Sequence, residues 1–291
     1  MNVPGAPPDR MTAVKETRPG AGAAQILSAL AQNAQRNLGR WIVVIAPRRE
    51  TRFRPTPPAV AATVIALAAV VASMFFLDVA ASDWARGLPQ WFRDVFEKVT
   101  NFGLSGWFLF PFGFGVLGLA ALISPTLPHH AQGVLTALAA RFGFLFLAIG
   151  VPGLFDTIVK RLIGRARPYV GAHDDPFTYV PFIWRSEYAS MPSGHATTAA
   201  AAAVAIGAIW PRARWMMGLY ALVIMFSRVV VLAHHPSDVI AGAIVGAAGA
   251  FLVRRWFAAR RLVFFGSALR AYPGPSLKRI GAACREAIAF R

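Results

Sequence analysis

The chain of 291 residues is 56% hydrophobic and only 15% charged, with a mean hydropathy of +0.50, whereas soluble domains carry about 25% charged residues. This composition excludes an ordinary water-soluble globule. The net charge of +17 lies mainly at the two ends, since residues 1–60 hold nine basic and three acidic groups and residues 254–291 hold nine and one. Basic ends around an apolar body are typical of the cytoplasmic face of a membrane protein, where they also attract anionic headgroups. The apolar body excludes nucleic acid as the partner of this charge.

The N-terminal segment, residues 1–55, mixes Pro, Gly, Ala and charged residues, and we expect a mostly disordered cytoplasmic arm. It holds no apolar core followed by a small-residue cleavage site, so we expect no cleaved signal peptide. The predicted division is this arm, a membrane domain at 56–257 and a basic cytoplasmic tail at 258–291. The single cysteine, Cys284, lies in the tail and excludes an intramolecular disulfide. Arginine far outnumbers lysine, which indicates a GC-rich and therefore bacterial source.

Six apolar segments predict an all-α, polytopic membrane protein. The first, residues 59–77, has no charged residue and is about as long as a helix that crosses a hydrocarbon core of ~30 Å. The other five are residues 106–124, 141–159, 196–210, 215–233 and 239–253. Six transmembrane helices in a bundle place both termini on the same side, which the basic ends assign to the cytoplasm.

Residues 78–105, between the first two spans, mix aromatic residues, Trp84, Trp91 and Phe92, with charged ones, among them Asp83, Arg86, Asp94, Glu97 and Lys98. Such a mixture is typical of a helix that lies along a membrane surface. We therefore predict an interfacial helix after the first span.

The last span carries Gly242, Gly246 and Gly249. Small residues at this spacing let helices approach closely, so we expect this face to pack against a neighbouring helix. A helix that is merely rich in Ala and Gly is the alternative.

Five basic residues follow the third span, on the face that this topology places outside, where the positive-inside rule predicts few. They are Lys160, Arg161, Arg165, Arg167 and Arg185. The positive-inside rule therefore does not explain why these five basic residues lie on the outer face, and another explanation is needed for them.

Three segments on this outward face predict a phosphate pocket, because loops that are distant in sequence converge at one end of a helix bundle. Lys160, Arg167 and Arg228 supply positive charge that is expensive near a membrane without an anion. Ser193 and Gly194 open a helix, whose N–H groups and dipole attract anions. Several fixed donors of this kind also suit the charge spread of a phosphoryl-transfer transition state.

The histidines predict a reaction at this pocket. His234 and Asp238 stand four residues apart, so the carboxylate can accept one ring N–H and leave the other nitrogen as a nucleophile. His195 comes from another loop, and an ordinary pKa near ~6.5 would let it donate a proton to a leaving oxygen and later accept one from water. Asp156 precedes Lys160 by four residues, a spacing that predicts an ion pair on one helix face.

The three segments together resemble the signature of the type 2 phosphatidic acid phosphatase family. They read Lys, six residues, Arg-Pro; then Pro-Ser-Gly-His; then Ser-Arg, five residues, His, three residues, Asp, and every fixed position of that pattern is filled. The resemblance implies a metal-independent phosphatase without a cofactor that works through a phosphohistidine on His234, oriented by Asp238, with His195 as acid and base. It assigns the grip on phosphate to Lys160, Arg167, Ser193, Gly194 and Arg228.

Six spans with an outward site resemble the membrane-bound lipid phosphatase branch of that family, and not the soluble acid phosphatases or vanadium haloperoxidases. The resemblance implies a phosphatase core within the bundle and an active site that faces the periplasm from a bacterial inner membrane. The substrates it implies are undecaprenyl diphosphate, phosphatidylglycerol phosphate, phosphatidic acid and lipid A phosphates, and the sequence does not choose among them. A lipid phosphotransferase and a non-catalytic lipid-phosphate binding protein are the alternatives, and the oligomeric state stays open.

Each cluster has a plainer interpretation. The run from Lys160 to Arg167 could bind headgroups, and three histidines with Asp238 could bind zinc, although neighbouring Lys and Arg side chains would repel a metal ion. Outside the fixed positions, Arg161, Arg165 and His235 are expected to be bystanders or headgroup contacts. Six aromatic residues between 169 and 188 anchor the protein at the interface or form a rim for the entering lipid.

Overall fold

The computed structural model describes residues 19–46, 56–170, 175–265, 272–273, 279, 282 and 285. Within them lie nine α-helices: α1 Pro19–Ile45, α2 Pro57–Phe76, α3 Asp78–Arg86, α4 Gln90–Thr100, α5 Gly106–Leu122, α6 His129–Ile163, α7 Gly194–Ile209, α8 Arg214–Val230 and α9 Pro236–Ala259. Three 3₁₀ turns span Asn101–Gly103, Ser186–Tyr188 and Pro211–Ala213. Strand β1 (Phe264–Phe265) pairs antiparallel with β2 (Tyr272–Pro273). The all-α class is confirmed, apart from this short ladder.

Each of the six predicted spans coincides with a helix, namely α2, α5, α6, α7, α8 and α9. Five stretches are long and apolar enough to cross a membrane, and α7 is the apolar helix that is shorter. Its 16 residues extend about 24 Å at ~1.5 Å per residue, less than the ~30 Å core. Eleven of these residues are buried, and α7 packs against α6, α8 and α9. The fourth predicted span, residues 196–210, is therefore a short helix at the centre of the bundle.

Glycines on α9 allow its close packing against α6 and α7, as predicted for the last span. A Cβ atom on Gly242 would overlap the carbonyl oxygen of Ser193, and one on Gly246 would overlap that of Thr197. A Cβ on Gly249 would lie 2.6 Å from the Cβ of Pro152. This packing brings the first turn of α9 against the residues that begin α7.

The N-terminal arm differs from its prediction, because residues 19–45 form α1. The buried amide of Asn37 donates hydrogen bonds to the carbonyl oxygens of Ala120 at 2.9 Å and Ile123 at 2.8 Å, which satisfies acceptors at the C-terminal end of α5. Arg260 donates to the carbonyl of Ala46 at 2.8 Å. The expectation of disorder is wrong for this part, since distant partners that composition does not reveal hold the helix.

The remaining predictions for the two ends fall largely outside the described residues. Residues 1–18 and 47–55 of the arm, Cys284 and most of the predicted tail at 258–291 belong to this category.

The predicted interfacial helix consists of two short helices, α3 and α4. The apolar side of α4 contacts α8, where Phe96 packs edge-on against Phe226 with ring centroids 5.5 Å apart. Phe92 lies 4.9 Å from Phe96 on the same side. The other side of α4 is polar and faces the end of the bundle where α6 ends, α7 begins, α8 ends and α9 begins.

The main apolar core lies at the opposite end of the bundle. There Phe144 packs edge-on against Phe257 and Phe264, with ring centroids 5.5 and 4.8 Å apart. The core holds α6, α7 and α9 together and leaves the polar end to the predicted site residues.

Candidate active site

The first predicted segment leaves α6 through a tight turn at Gly164. This glycine has φ 63°, and a Cβ atom there would overlap the carbonyl of Val180, so no larger residue fits. The chain then pairs with the residues before α7, since Arg167 donates its backbone N–H to Glu187 at 2.9 Å and Ser190 donates to Arg165 at 3.1 Å. Backbone hydrogen bonds thus join the first predicted segment to the residues just before the second.

Lys160 lies over the first turn of α7. Its Nζ is 2.7 Å from the carboxylate of Asp156, which confirms the ion pair expected from their spacing. Thr197 donates to the other carboxylate oxygen at 3.2 Å. A Cβ on Gly194 would lie 3.1 Å from the Lys160 Nζ, so glycine lets the ammonium group reach the N-terminus of α7.

Buried donors without protein partners mark the phosphate side of the site. Ser193 precedes α7 but its side chain makes no capping hydrogen bond, and its buried Oγ has no partner among the described residues. The same holds for the buried Nε atoms of Arg167 and Arg228. An unsatisfied buried donor costs about 1–3 kcal/mol, and an oxyanion would satisfy these groups together. Three of the five predicted phosphate ligands thus carry a buried polar atom that lacks an acceptor.

The ring of His234 is held in one tautomer by a backbone carbonyl. Its Nδ1 is 2.8 Å from the carbonyl oxygen of Ser190, and since this oxygen can only accept, Nδ1 carries the proton. The lone pair therefore resides on Nε2, as a nucleophile requires. Burial is the largest cause of a pKa of about 4 for His234; the charges of Arg228 and Arg167 also lower the pKa, and Asp238 opposes them. The imidazole is neutral at neutral pH.

Asp238 orients His234 differently from the prediction. Its Oδ2 is 3.8 Å from Nδ1, beyond hydrogen-bond distance, so the expected direct bond is replaced by the bond to Ser190. Asp238 instead accepts a hydrogen bond from the Ser190 hydroxyl at 2.5 Å and one from the backbone N–H of His235 at 2.9 Å. The carboxylate of Asp238 thereby holds Ser190 in place, and the carbonyl of Ser190 in turn orients the imidazole of His234.

Arg165 is the main functional residue that the sequence interpretation missed. It is fully buried and donates to Asp238 at 2.6 Å and to Asp78 at 2.8 Å. Asp78, the first residue of α3, also accepts the backbone N–H of Ser237 at 2.9 Å. Burial by itself lowers the pKa of Arg165, but the two carboxylates outweigh it and raise the pKa. The expectation of a bystander is wrong, because this guanidinium neutralises two buried carboxylates.

His235 also differs from its expected role. It is 1% exposed and forms the cap of α9, where its backbone N–H donates to the carboxylate of Asp238 at 2.9 Å and its ring Nδ1 lies 3.5 Å from the Ser82 hydroxyl. A buried cap cannot contact headgroups. Two more of the five basic residues that follow the third span lie near the surface. Arg161 lies over the ring of Trp184 at 5.5 Å, and Arg185 forms an exposed ion pair with Glu187 at 3.4 Å.

His195 opens onto a polar cavity of about 450 Å³, which Arg228 also lines. Arg228 is 7% exposed, and its Nη1 donates to Thr100 Oγ1 at 2.6 Å. A Cβ on Gly103 would lie 3.0 Å from the ring of His195, so the turn after α4 packs against this imidazole. Burial, and after it the charge of Arg228, lowers the pKa of His195 to about 3, so the ordinary pKa expected from the sequence is wrong. An anion bound beside these cations favours the protonated ring, and the partly exposed His195 stands where a proton could reach it from the cavity.

All eight predicted site residues lie at this end of the bundle. A buried neutral imidazole stands beside cationic donors, with a second imidazole at an open cavity. This arrangement can bind a tetrahedral oxyanion and attack its central atom.

Comparison with known proteins agrees with the fold and the motifs. Residues 141–262 match the PAP2 superfamily. A lipid A 1-phosphatase of Rhizobium johnstonii is 34% identical over 204 residues, which cover 69% of this chain and 81% of that protein. An undecaprenyl-diphosphatase of Sulfolobus acidocaldarius is 33% identical over 109 residues, which cover 36% of this chain and 53% of that protein.

A solved structure, that of the first transmembrane PAP2 type phosphatidylglycerolphosphate phosphatase from Bacillus subtilis, is also similar. The TM-score is 0.45 at 22% identity, over 67% of this chain and 92% of that one. On the relationship to the Rhizobium protein and the match of residues 141–262, the chain belongs to the PAP2 superfamily, the type 2 phosphatidic acid phosphatase family that its motifs resemble.

Proposed function

We propose that this protein is a membrane lipid phosphatase that removes a terminal phosphate through a covalent phosphohistidine on His234. The observation that carries the proposal is the set of buried donors without protein partners around a neutral imidazole, on Ser193, Arg167 and Arg228. A phosphate group supplies an acceptor for each of them. A non-catalytic binding protein would need the cationic donors but no imidazole held with its nucleophilic nitrogen unprotonated.

The reaction proceeds in two displacements. In the first, His234 Nε2 forms a bond to phosphorus while the bond from phosphorus to the lipid oxygen breaks, and His195 donates a proton to that oxygen. In the second, His195 accepts a proton from water as the water oxygen attacks phosphorus, and the bond to His234 breaks to release inorganic phosphate. Lys160, Arg167 and Arg228 stabilise the charge on the equatorial oxygens. These fixed cations supply the role that a metal ion would otherwise have, so the proposed reaction is metal-independent.

Lipid A 1-phosphate is the favoured candidate among the four lipid phosphates. The Rhizobium johnstonii lipid A 1-phosphatase is similar over 81% of its own length, against 53% for the undecaprenyl-diphosphatase. The motif residues contact phosphate alone, so they do not themselves distinguish these lipids.

A lipid panel tests the activity. The purified protein in detergent is given each of the four lipid phosphates, and released phosphate is measured with EDTA and with vanadate. We expect turnover that survives EDTA, is blocked by vanadate and falls at least 10³-fold in His234→Gln, because the nucleophile is lost. The exposed His129 at the start of α6 supplies the control, since His129→Gln should keep wild-type turnover.

Two outcomes would contradict the proposal: no phosphate release from any of the four lipids, or wild-type turnover in His234→Gln. Transfer of the phosphoryl group to an added acceptor lipid instead of to water would identify a phosphotransferase that uses the same histidine.

We also propose that the site faces the periplasm and that both termini are cytoplasmic. Support comes from the basic ends and from the position of α1 and Arg260, which lie at the end of the bundle opposite His234. In a Cys284→Ser background, an impermeant maleimide applied to spheroplasts should label Ser186→Cys. It should label Thr126→Cys, in the α5–α6 loop, only after permeabilisation. The reverse pattern would place the site in the cytoplasm.

A further inference from the structure

The cavity at His195 and Arg228 has a second wall that the family motifs do not contain. One side of α4 and the turn after it supply this wall, here named the α4 wall. It consists of Gln90, Arg93, Asp94, Glu97, Thr100 and Asn101. The cavity has a volume of about 450 Å³, within the ~300–1,000 Å³ of small-molecule sites. It therefore holds more than a phosphate group.

The α4 wall is fixed relative to the reacting groups at three points. Phe96 on the apolar side of α4 packs on α8, Thr100 accepts the hydrogen bond from Arg228 at 2.6 Å, and Gly103 contacts the ring of His195. A headgroup attached to a phosphate held by Arg228 therefore lies against α4.

Hydrogen bonds within the α4 wall leave several groups for a ligand. Gln90 donates to one oxygen of Asp94 at 2.7 Å and accepts from Arg93 at 2.8 Å. The carboxylate of Glu97 and the amide of Asn101 also line the cavity. The buried Nε atoms of Arg93 and of Arg228, itself 7% exposed, have no hydrogen-bond partner among the described residues. The wall thus offers a ligand the carboxylates of Asp94 and Glu97, the amide of Asn101 and the Nε of Arg93, beside the Nε of Arg228.

We infer that the α4 wall selects lipid phosphates whose phosphate is attached to a neutral, hydroxyl-rich sugar. This inference rests on the proposed function. Carboxylates accept strong, charge-assisted hydrogen bonds from hydroxyl groups, and side-chain amides both donate and accept, which matches neighbouring sugar hydroxyls. A second phosphate in the same place would meet Asp94 and Glu97, two carboxylates against the single cation Arg93 in the wall, and like charges at close range repel. The wall therefore favours a glycosyl phosphate lipid and opposes a lipid diphosphate.

The test compares ratios of kcat/KM in one detergent for three substrates: a glycosyl 1-phosphate lipid, phosphatidic acid and an isoprenyl diphosphate. In the double variant Asp94→Asn with Glu97→Gln, we expect the ratio of glycosyl phosphate to phosphatidic acid to fall about tenfold. The ratio of diphosphate to phosphatidic acid should rise severalfold, since the repulsion is removed. Lys98→Gln is the matched control, because Lys98 is exposed on the same helix and does not line the cavity, and both ratios should keep their wild-type values.

Ratios separate selection from folding, since a merely structural role would lower all three kcat/KM values equally and leave both ratios unchanged, which would overturn the inference. The inference is also overturned if the wild-type protein hydrolyses phosphatidic acid or the diphosphate with a kcat/KM equal to or above that for the glycosyl phosphate. In that case the proposed phosphatase function stands. A wild-type protein that releases phosphate from none of the three overturns both.

Discussion

His234 stands between two regions that differ in how many of their buried polar atoms have hydrogen-bond partners among the described residues. Behind it lies the orienting network, which consists of Asp78, Arg165, Ser190 and Asp238. Every nitrogen of the Arg165 guanidinium donates a hydrogen bond, with Nε bound to the carbonyl of Pro176 at 2.9 Å and the other two bound to the carboxylates.

In front of His234 lies the phosphate face, which consists of Ser193, Arg167 and Arg228. Each of these residues has a buried donor without a partner among the described residues. This difference in hydrogen bonding matches two different tasks, orienting the nucleophile and stabilising the transition state. A satisfied network in a low-dielectric interior holds one geometry, whereas donors fixed in advance toward a developing charge stabilise the transition state at a cost to the fold. Substitutions on the two sides should therefore have different effects on activity and stability.

Within the two regions on either side of His234, the largest effect should come from Arg167→Gln on the phosphate face. Loss of one fixed donor to a transition-state oxyanion costs about 10²–10³ in rate, so kcat/KM for phosphate release should fall by about that factor. The thermal midpoint in detergent should stay unchanged or rise, because no acceptor for the Nε of Arg167 lies in the part of the chain that the structure describes. Ser193→Ala should show the same pattern with a smaller loss of activity.

Arg185→Gln is the control for this prediction, since Arg185 follows in the same connection but forms only an exposed pair. It should change neither measurement. A fall in the thermal midpoint of Arg167→Gln that accompanies the loss of activity would show that the phosphate face also supports the fold.

The orienting network should respond in the opposite way. Asp78→Asn weakens charge-assisted hydrogen bonds to Arg165 and Ser237, and we expect a loss of about 2 kcal/mol in the free energy of unfolding. The imidazole then loses part of its alignment, so kcat should fall about tenfold with little change in KM. Steady-state kinetics and thermal unfolding measure both effects.

Asp83→Asn on the same helix is the matched control, because the Asp83 side chain is 66% exposed. It should behave as wild type. If Asp78→Asn raised KM and left kcat and stability intact, Asp78 would belong to substrate binding and the division between the two regions would be wrong.

The residues of the phosphate face could be predicted from the sequence, whereas of the orienting network only Asp238 could. Residues such as Arg167, Ser193 and His234 lie at fixed spacings beside apolar segments, so hydropathy and local motifs place them at one end of the bundle. The partner of His234 is instead the backbone carbonyl of Ser190, and a carbonyl is present in every residue type, so no sequence signal marks it.

Arg165 and Asp78 illustrate a second limit, since 87 positions separate them. A charge directly after an uncharged span is costly in an apolar setting, and this was the available signal that Asp78 has a buried partner. Sequence spacing could not identify which of five nearby basic residues it would be. The helix α1 was missed for the same reason, because Asn37 finds its acceptors more than 80 residues away.

The smallest effect concerns pH and tests whether His234 is as enclosed as the comparison requires. Its pKa is about 4 in the folded protein and ~6.5 in an unfolded chain. Between these values the unfolded state binds the proton first, so stability is lost as the pH falls from about 6.5 toward 4. At pH 4.5 the loss is on the order of 2 kcal/mol, and the thermal midpoint of the wild type should fall by a few degrees relative to pH 7.

His234→Gln lacks this titration and should show a shallower fall of the midpoint over the same pH interval, whereas the exposed control His129→Gln should keep the wild-type slope. His235 is buried as well, and burial lowers its pKa, but it is present in all three proteins and its contribution cancels. Equal slopes in wild type and His234→Gln would mean that the imidazole takes up protons as readily in the folded protein as in the unfolded chain. The ring would then be open to water on the side of Ser190, and the orienting network would not hold it as a neutral nucleophile.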